Sequence, residues 1–509
     1  MGIYDLSLYA VIQQNDRLYQ DRTAWMEADD DQSLSFTQYR RAVEQTAARL
    51  SAAGVAKGER VGILGKNCLP YYVLYGAAAA LGAILVPVNW RLSAAETAYI
   101  LNDSGARIVL ADPEEAEKVA ALQPELKAQT AFFNLQPGQG PFSELPQPAL
   151  PDGGWSPPDA VSADDGLVII YTAAVSGYPR GALLSHRNLL TANIQLMYLL
   201  GLTPADVHLN PLPLFHIAGL GMAFCAFHAG ALNINMPKFD APRAARLIAD
   251  HKVSLLFAFA PMLQTLLAHV EQSNDAIGSL RTVLGVDTPE VIARYQSLTG
   301  GTFYVMFGQT ETSLVATLSR YDERPGSAGR PIPLVDIQLL DDNDRPVEAG
   351  QTGEIAIRGP MVFLGYWQLP AENAHTFRNG WHHTGDMGRF DADGYLWYVA
   401  RKADKELIKP GGENVYPAEV EKVLLEHPDV AEAVVIGVPD PKWTEAVKAV
   451  CRLEAGRTLT AEALIAFVGE RIARYKKPQL VSFVAELPLT ADGQIDRAKV
   501  KQLHGKPKA

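Results

Sequence analysis

The chain has 509 residues, 48% apolar and 20% charged, with a net charge of −12 from 57 acids and 45 bases. That is too long for one compact core and ordinary for a soluble globular protein of about two to four domains. The acidic balance argues against broad nucleic-acid binding but leaves room for a local basic site for a phosphorylated ligand.

The N-terminus, MGIYDLSLYAVIQQNDRLYQDR, carries an early Asp and no basic segment before an apolar core, so it does not read as a signal peptide. FTQYRRAVEQTAARLSAAG is an amphipathic helix that ends on a glycine. From Asn67 to Trp90 there is no charge, which is long enough to span a bilayer. Pro70, Gly76, Gly82 and Pro87 interrupt this stretch, so it reads as a buried helix (YYVLYGAAAALG) running into a buried strand (AILVPV), and no membrane is expected. ERVGILG, ARIVLA, GLVIIYT and SLLFAFA are further buried strands, and ETAYILNDSG and APRAARLIADHK are helices. Near-continuous apolar strands alternating with helices predict parallel sheets covered on both faces, an α/β fold. Residues 113–160, rich in Pro, Gly and Gln, read as a loop excursion and linker. From about residue 326, VDIQLLD, GEIAIRG, GRFD and GYLWYVA predict an antiparallel β subdomain. The charged stretch KADKELIKPGGENVYP places a domain boundary after Arg401, and a small C-terminal α/β unit follows it. The expected division is residues 1–401, a hinge at 402–405, and a lid at 406–509. Cys68, Cys225 and Cys451 are far apart, with no C-x-x-C pair, which predicts neither a zinc site nor a disulfide framework and points to the cytoplasm.

Several segments carry chemistry. YTAAVSGYPRGALLSHRN follows an apolar strand, and a strand opening into a Gly-containing loop can hold phosphate on backbone N–H groups. It is not a Walker A loop, since no G-x-x-x-x-G-K-[ST] is present. PLFHIAGLG sets His216 in an apolar run, and LGVDTPE is a short turn after a strand. YVMFGQTETS is an apolar strand running into a polar turn that carries Glu311. GWHHTGDMGRFDADGYLWYVARKADKELIKPGGENVYPAEVE carries a paired acceptor in the Asp386 carboxylate and a forked donor in Arg401. The chain closes on ELPLTADGQIDRAKVK.

Together and in this order, these segments resemble the boxes of the adenylate-forming superfamily, and the chain looks like one of its acyl-CoA synthetases. The likeness runs from about residue 10 to about residue 500. It implies a large N-terminal domain of α/β sheets with an antiparallel β subdomain, plus a small mobile C-terminal domain that turns between two half-reactions. It implies ATP, Mg2+ and coenzyme A, a small carboxylic acid as substrate, and no nucleic acid or membrane partner, with a homodimer as an allowed assembly.

By resemblance, Thr172, Ser176, Gly177, Arg180 and Thr310 meet phosphate, and Glu311 with Thr172 holds the metal. Gly285, Val286, Asp287, Phe307, Gly308, Gln309 and Tyr398 border the nucleotide, while Asp386 and Arg401 take the ribose. Phe215, His216, Gly219, Phe259, Gly285 and Gly308 border the acid. Lys405 belongs to the hinge, Gly411 and Gly412 let pantetheine pass, and Arg91, Trp443, Tyr475 and Lys477 contact the CoA nucleotide. The phosphate loop departs from the family pattern: Ala173, Ala174 and Val175 replace Ser-Gly-Thr, Ser176 replaces Thr, and Arg180 replaces Lys. The closing loop, in the family P-x-T-x-x-G-K-I, carries Gln494 where the adenylation lysine is expected. These departures predict a slow first half-reaction, and they leave open a non-catalytic acyl-adenylate binder, a carrier-protein-loading enzyme, and an engineered Gln494.

Overall fold

The computed structural model describes residues 6–30, 32–149, 155–172, 178–273, 275–402, 407–410, 415–440, 444–490 and 495–505. Two large sheets form the body of the chain. The first has seven strands in the order Gly365–Tyr366, Arg180–Ser185, Gly166–Thr172, Ile84–Val88, Arg60–Leu64, Ile108–Ala111 and Ala131–Asn134. The last five are parallel, and the first two join antiparallel. The second has nine strands, with Thr23–Glu27, Leu232–Asn235, Val207–Asn210, Leu255–Phe259, Thr282–Val286 and Thr302–Phe307 parallel at its centre. The apolar runs read from the sequence therefore sit in the strands they predict.

One core fills the space between these sheets. The charge-free stretch belongs here. Leu69–Leu81 is a helix buried on nearly every side, and Ile84–Val88 is a fully buried central strand. A helix apolar all round must lie inside protein or lipid. Here protein covers it, and among the described residues no helix is long and apolar enough to cross a membrane. Trp25, Tyr39, Tyr72, Phe224 and Phe227 form an aromatic cluster in the same core, with Trp25 stacked on Phe227 at 5.3 Å.

The antiparallel subdomain is a four-stranded sheet in the order Asp336–Leu340, Gly353–Arg358, His382–Phe390 and Leu396–Arg401. The C-terminal unit has three strands, Val430–Asp440, Thr444–Leu453 and Leu480–Val484. Helices Pro417–Leu425 and Ala461–Gly469 pack on one face of it, and Arg497–His504 packs on the other. The expected fold class is thus the observed one. Residues 113–160 differ from expectation. They contain a helix, Ala116–Leu122, and an edge strand, Ala131–Asn134, which pairs parallel with Ile108–Ala111. Four residues of strand are too few to stand out among Pro and Gln, and only the neighbouring strand gives them a partner.

A carboxylate at the end of Thr23–Glu27 gives the fold a pH dependence. Glu27 accepts Leu69 N–H at 2.6 Å and Asn235 Nδ2 at 2.7 Å, yet burial pushes its carboxyl up from the ordinary 4.5 to about 7. Between those values the native state binds more protons than the unfolded chain. Stability therefore falls as pH rises from about 4.5 to about 7 and is flat above, a loss on the order of 3 kcal/mol. In Glu27→Gln that part of the slope is expected to disappear. Urea midpoints of variant and wild type at pH 5 and pH 8 check it, and parallel pH profiles would refute it.

Candidate active site

Three of the predicted residues lie where parallel strands of the nine-stranded sheet end. Phe259, Val286 and Phe307 close the strands Leu255–Phe259, Thr282–Val286 and Thr302–Phe307, and ligands of open α/β sheets bind in the crevice outside such ends. Two glycines make the crevice possible. A Cβ on Gly285 would lie 1.9 Å from the carbonyl oxygen of Ala258, and one on Gly308 would lie 1.9 Å from that of Leu314. Both are backbone obstacles, so neither position has room for a side chain. Gly219 is demanded by packing as well, since its added Cβ would meet Pro213 O at 2.4 Å inside the helix Ile217–His228.

One polar group of side chains bridges the two large sheets. Thr172 ends one strand of a hairpin and Arg180 begins the next, and the two are register partners. The buried Glu311, in the 3₁₀ turn Thr310–Thr312, accepts from Thr172 Oγ1 at 3.3 Å and from Tyr366 OH at 2.9 Å. Arg180 lies 4.0 Å over the Tyr366 ring and pairs with Glu372 at 2.7 Å. Sequence reading missed Tyr366 and Glu372. The only local signal was the Gly-Tyr pair after QTGEIAIRGPMVFL, which is an ordinary turn until the fold sets it beside Glu311.

A second polar group sits on the antiparallel sheet. Asp386 and Arg401 are register partners on adjacent strands, with Nε and Oδ1 3.0 Å apart. The buried Asp386 also accepts from Gln309 Nε2 at 2.5 Å. Arg401 donates to Tyr416 OH at 2.9 Å, a residue of the C-terminal unit. The Phe307 and Tyr398 rings stack at 6.4 Å, and burial, with the Asp386 charge, pushes the Tyr398 hydroxyl up to about 12. Asp287 accepts from Thr288 N–H at 2.9 Å, and burial raises its carboxyl. Beside it Val286 is exposed.

Between these groups the lining is apolar. His216 presents its ring edge to Phe259 at 6.5 Å, while its Nδ1 accepts Ala218 N–H and caps the helix Ile217–His228. The cap role and a place at the pocket are compatible. Phe215 lies under the Arg91 guanidinium, 5.3 Å from ring centre to charge.

Arg91 and Tyr475 come from opposite ends of the chain and meet here. Arg91 stands 5.4 Å over the Tyr475 ring, and Asn89 reaches the Tyr475 hydroxyl at 3.5 Å. Lys477 lays its stem toward Gly469, whereas Lys476, passed over in the sequence, is the buried lysine of the pair. Lys402, the first expected hinge residue, pairs with the buried Glu354 of the antiparallel sheet at 2.9 Å. Ser176, Gly177, Lys405, Gly411, Gly412, Trp443 and Gln494 lie outside the described residues.

An α/β body with a carboxylate–hydroxyl group, a carboxylate–guanidinium group and an apolar lining at its strand ends, closed by a small second domain, is the architecture of an adenylate-forming enzyme. Residues 12–367 match the AMP-binding enzyme family and residues 419–494 match the AMP-binding enzyme C-terminal domain. The chain belongs to the AMP-binding enzyme family and is an acyl-CoA synthetase of the adenylate-forming superfamily. It is 36% identical to a feruloyl-CoA synthase of Amycolatopsis sp over 480 residues, 93% of this chain and 94% of the relative. It is 36% identical to the indoleacetate–CoA ligase of Aromatoleum aromaticum over 481 residues, with the same shares. The o-succinylbenzoate CoA synthetase of Bacillus subtilis is a third relative. A double mutant of it bound with its product analogue OSB-NCoA superposes with a TM-score of 0.86 at 29% identity, over 98% of this chain and 99% of that one. The same enzyme in complex with AMP gives 0.69 at 28% identity, over 98% of each chain.

Proposed function

We propose that this chain joins an aromatic carboxylic acid with a neutral tail to coenzyme A, consuming ATP and releasing AMP and pyrophosphate. One observation carries the substrate class. Phe259, Met262, Tyr304 and Met306 lie partly buried against one core, Phe259 with its ring 6.5 Å from that of His216, and none of them is cationic. An aromatic or aliphatic tail fits such a lining, and a second carboxylate finds no counter-charge there. The named substrates of the feruloyl and indoleacetate relatives, both aromatic acids, support this reading.

The division of labour follows the family resemblance, and the geometry supports it at the described residues. Asp386 and Arg401 hold the ribose, with Phe307, Tyr398, Gly285, Val286 and Asp287 around the base. Thr172, Ser176, Gly177, Arg180 and Thr310 meet the phosphates, and Gln309 steadies Asp386. Glu311, with the Thr172 hydroxyl 3.3 Å away, offers the oxygen donors that Mg2+ prefers. Among the described residues no three His, Cys, Asp or Glu side chains form a metal cluster, and phosphate and water oxygens would supply the remaining ligands. Bound there, the ion neutralises phosphate charge. The acid carboxylate attacks the α-phosphorus and pyrophosphate leaves. The CoA thiol then attacks the acyl carbon and AMP leaves. Both steps need positioning and charge neutralisation, with no covalent enzyme intermediate. The first step is slow because Gln494 supplies a neutral amide where the family has a cation. The buried, unpaired cysteines suit a cytoplasmic setting.

A panel of acids assayed for CoA-thioester formation tests the reading. Cinnamate-type and arylacetate acids are expected to give the highest kcat/KM. A preference for a dicarboxylic acid would overturn the substrate class, and turnover only with a carrier protein in place of free CoA would overturn the acceptor.

A further inference from the structure

We infer that Glu96 seats the C-terminal domain in its acyl-transfer orientation, as a positioning residue that acts through Lys476. The inference rests on the ligase reading above. Glu96 is the third residue of the helix Ala94–Ser104, and with Ser93 it forms that helix's capping box. Its Oε2 accepts Ser93 N–H at 2.9 Å and, from the C-terminal domain, Ala473 N–H at 3.0 Å. Its Oε1 accepts Lys476 Nζ at 2.8 Å. Lys476 also donates to Glu419 at 2.5 Å. The side chains of Lys476 and Glu419 are 6% and 5% exposed, so this is a dry ion cluster across a domain boundary. Burial works against the charge on Lys476, but the Glu419 and Glu96 carboxylates outweigh it and hold the ammonium protonated.

The cluster divides cleanly between the domains. Lys476 and Glu419 travel together, and only the bonds to Glu96 cross. A turn of the small domain therefore leaves the Lys476–Glu419 pair intact and gives up the two contacts on Glu96.

The same seating assembles the rest of the cleft. Tyr475, adjacent to Lys476, comes to rest beneath Arg91 and against Asn89. Glu419 accepts Tyr416 N–H at 3.3 Å, and the Tyr416 hydroxyl accepts from Arg401, the partner of Asp386. Lys422 stands 3.5 Å over the ring of Tyr178, which itself stacks on Tyr99. A continuous path thus runs from Glu96 through Lys476, Glu419 and Tyr416 to Arg401. The closing loop lies elsewhere in its described part. Ile495, next to Gln494, packs on the opposite face of the small sheet with Val434, Ile436 and Val500. The face turned to the cleft is the one beginning at Val415 and Tyr416, as an acyl-transfer orientation requires. The closer superposition on the structure holding a CoA-product analogue agrees with this.

The test uses the full chain with labels at Asp250→Cys and Glu462→Cys, one in each domain. Electron–electron distance measurement reads the orientation, and single-turnover transfer from feruloyl-AMP to CoA reads the reaction. In Glu96→Gln the distance distribution is expected to broaden toward a second population, with transfer falling roughly 10- to 100-fold, as slight misplacement of reacting groups does. Ser93→Ala removes the other half of the capping box but not the domain contact, and it is expected to leave both readouts near wild type. An unchanged distance distribution in Glu96→Gln, or an equal disturbance in Ser93→Ala, overturns the inference. A wild type that transfers no acyl group to CoA refutes the ligase reading instead, while the distance arm still decides the role of Glu96.

Discussion

Gln494→Lys is expected to raise ATP–pyrophosphate exchange by about 10²–10³-fold, the usual worth of one well-placed electrostatic donor in a reaction that builds charge. Glutamine at this position still donates a neutral hydrogen bond, but charge-assisted bonds are roughly twice as strong. Adenylation brings a carboxylate against a phosphate, two anions, and it is the step that most needs a cation. The second half-reaction joins a mixed anhydride with a single phosphate charge to a thiol, and brings no second carboxylate against it, so transfer from a supplied acyl-adenylate should change far less in the same variant. The gain has a ceiling. Ala173, Ala174 and Val175 have already removed two hydroxyls and a flexible glycine from the phosphate loop, and Arg180 must leave Glu372 to reach a phosphate. An exchange rate unmoved by the lysine would sink the idea and point toward the non-catalytic binder.

Arg401→Ala is expected to cost about 3–5 kcal/mol, the penalty of stripping a buried charge of its partner. The Asp386 side chain is only 3% exposed, and without Arg401 its carboxylate is left to neutral donors such as Gln309 and the Tyr398 hydroxyl. The variant also loses the bond to Tyr416, so the C-terminal domain is loosened together with the ribose site. Chemical denaturation measures the loss. Arg401→Ala combined with Asp386→Asn should recover part of it, because the buried charge that lost its cation is gone, and the two changes are close enough to couple. A single variant as stable as wild type would mean that water reaches Asp386 freely, contrary to its burial.

The parts of the site that were legible in the sequence are those whose chemistry sits in consecutive residues. Asp386 and Arg401 stand out because they fall in ordered family boxes, and the fold makes them register partners. Glu311 was found in its aromatic-Gly-x-Thr-Glu run. The buried strands were legible because apolar runs of their length admit few other places. Tyr366, Glu372, Tyr416 and Lys476 were not legible. Tyrosine, glutamate and lysine are common surface residues, and nothing beside them in the chain says that they will be buried.

The sequence by itself determined the alternation of strands and helices, the change to an antiparallel texture past residue 326, the adenylate-forming character of the chain, and the two departures aimed at ATP. All of these are properties of short windows, where propensity, periodicity and ordered motifs act. Only the tertiary structure decided which residues meet across the chain. Glu96 and Lys476 are 380 residues apart, and Asn89 and Tyr475 are 386 apart. No local preference encodes such pairs. They arise because burial at a domain boundary makes an unpartnered charge too costly to keep, and only the docked domains show which charge supplies the partner.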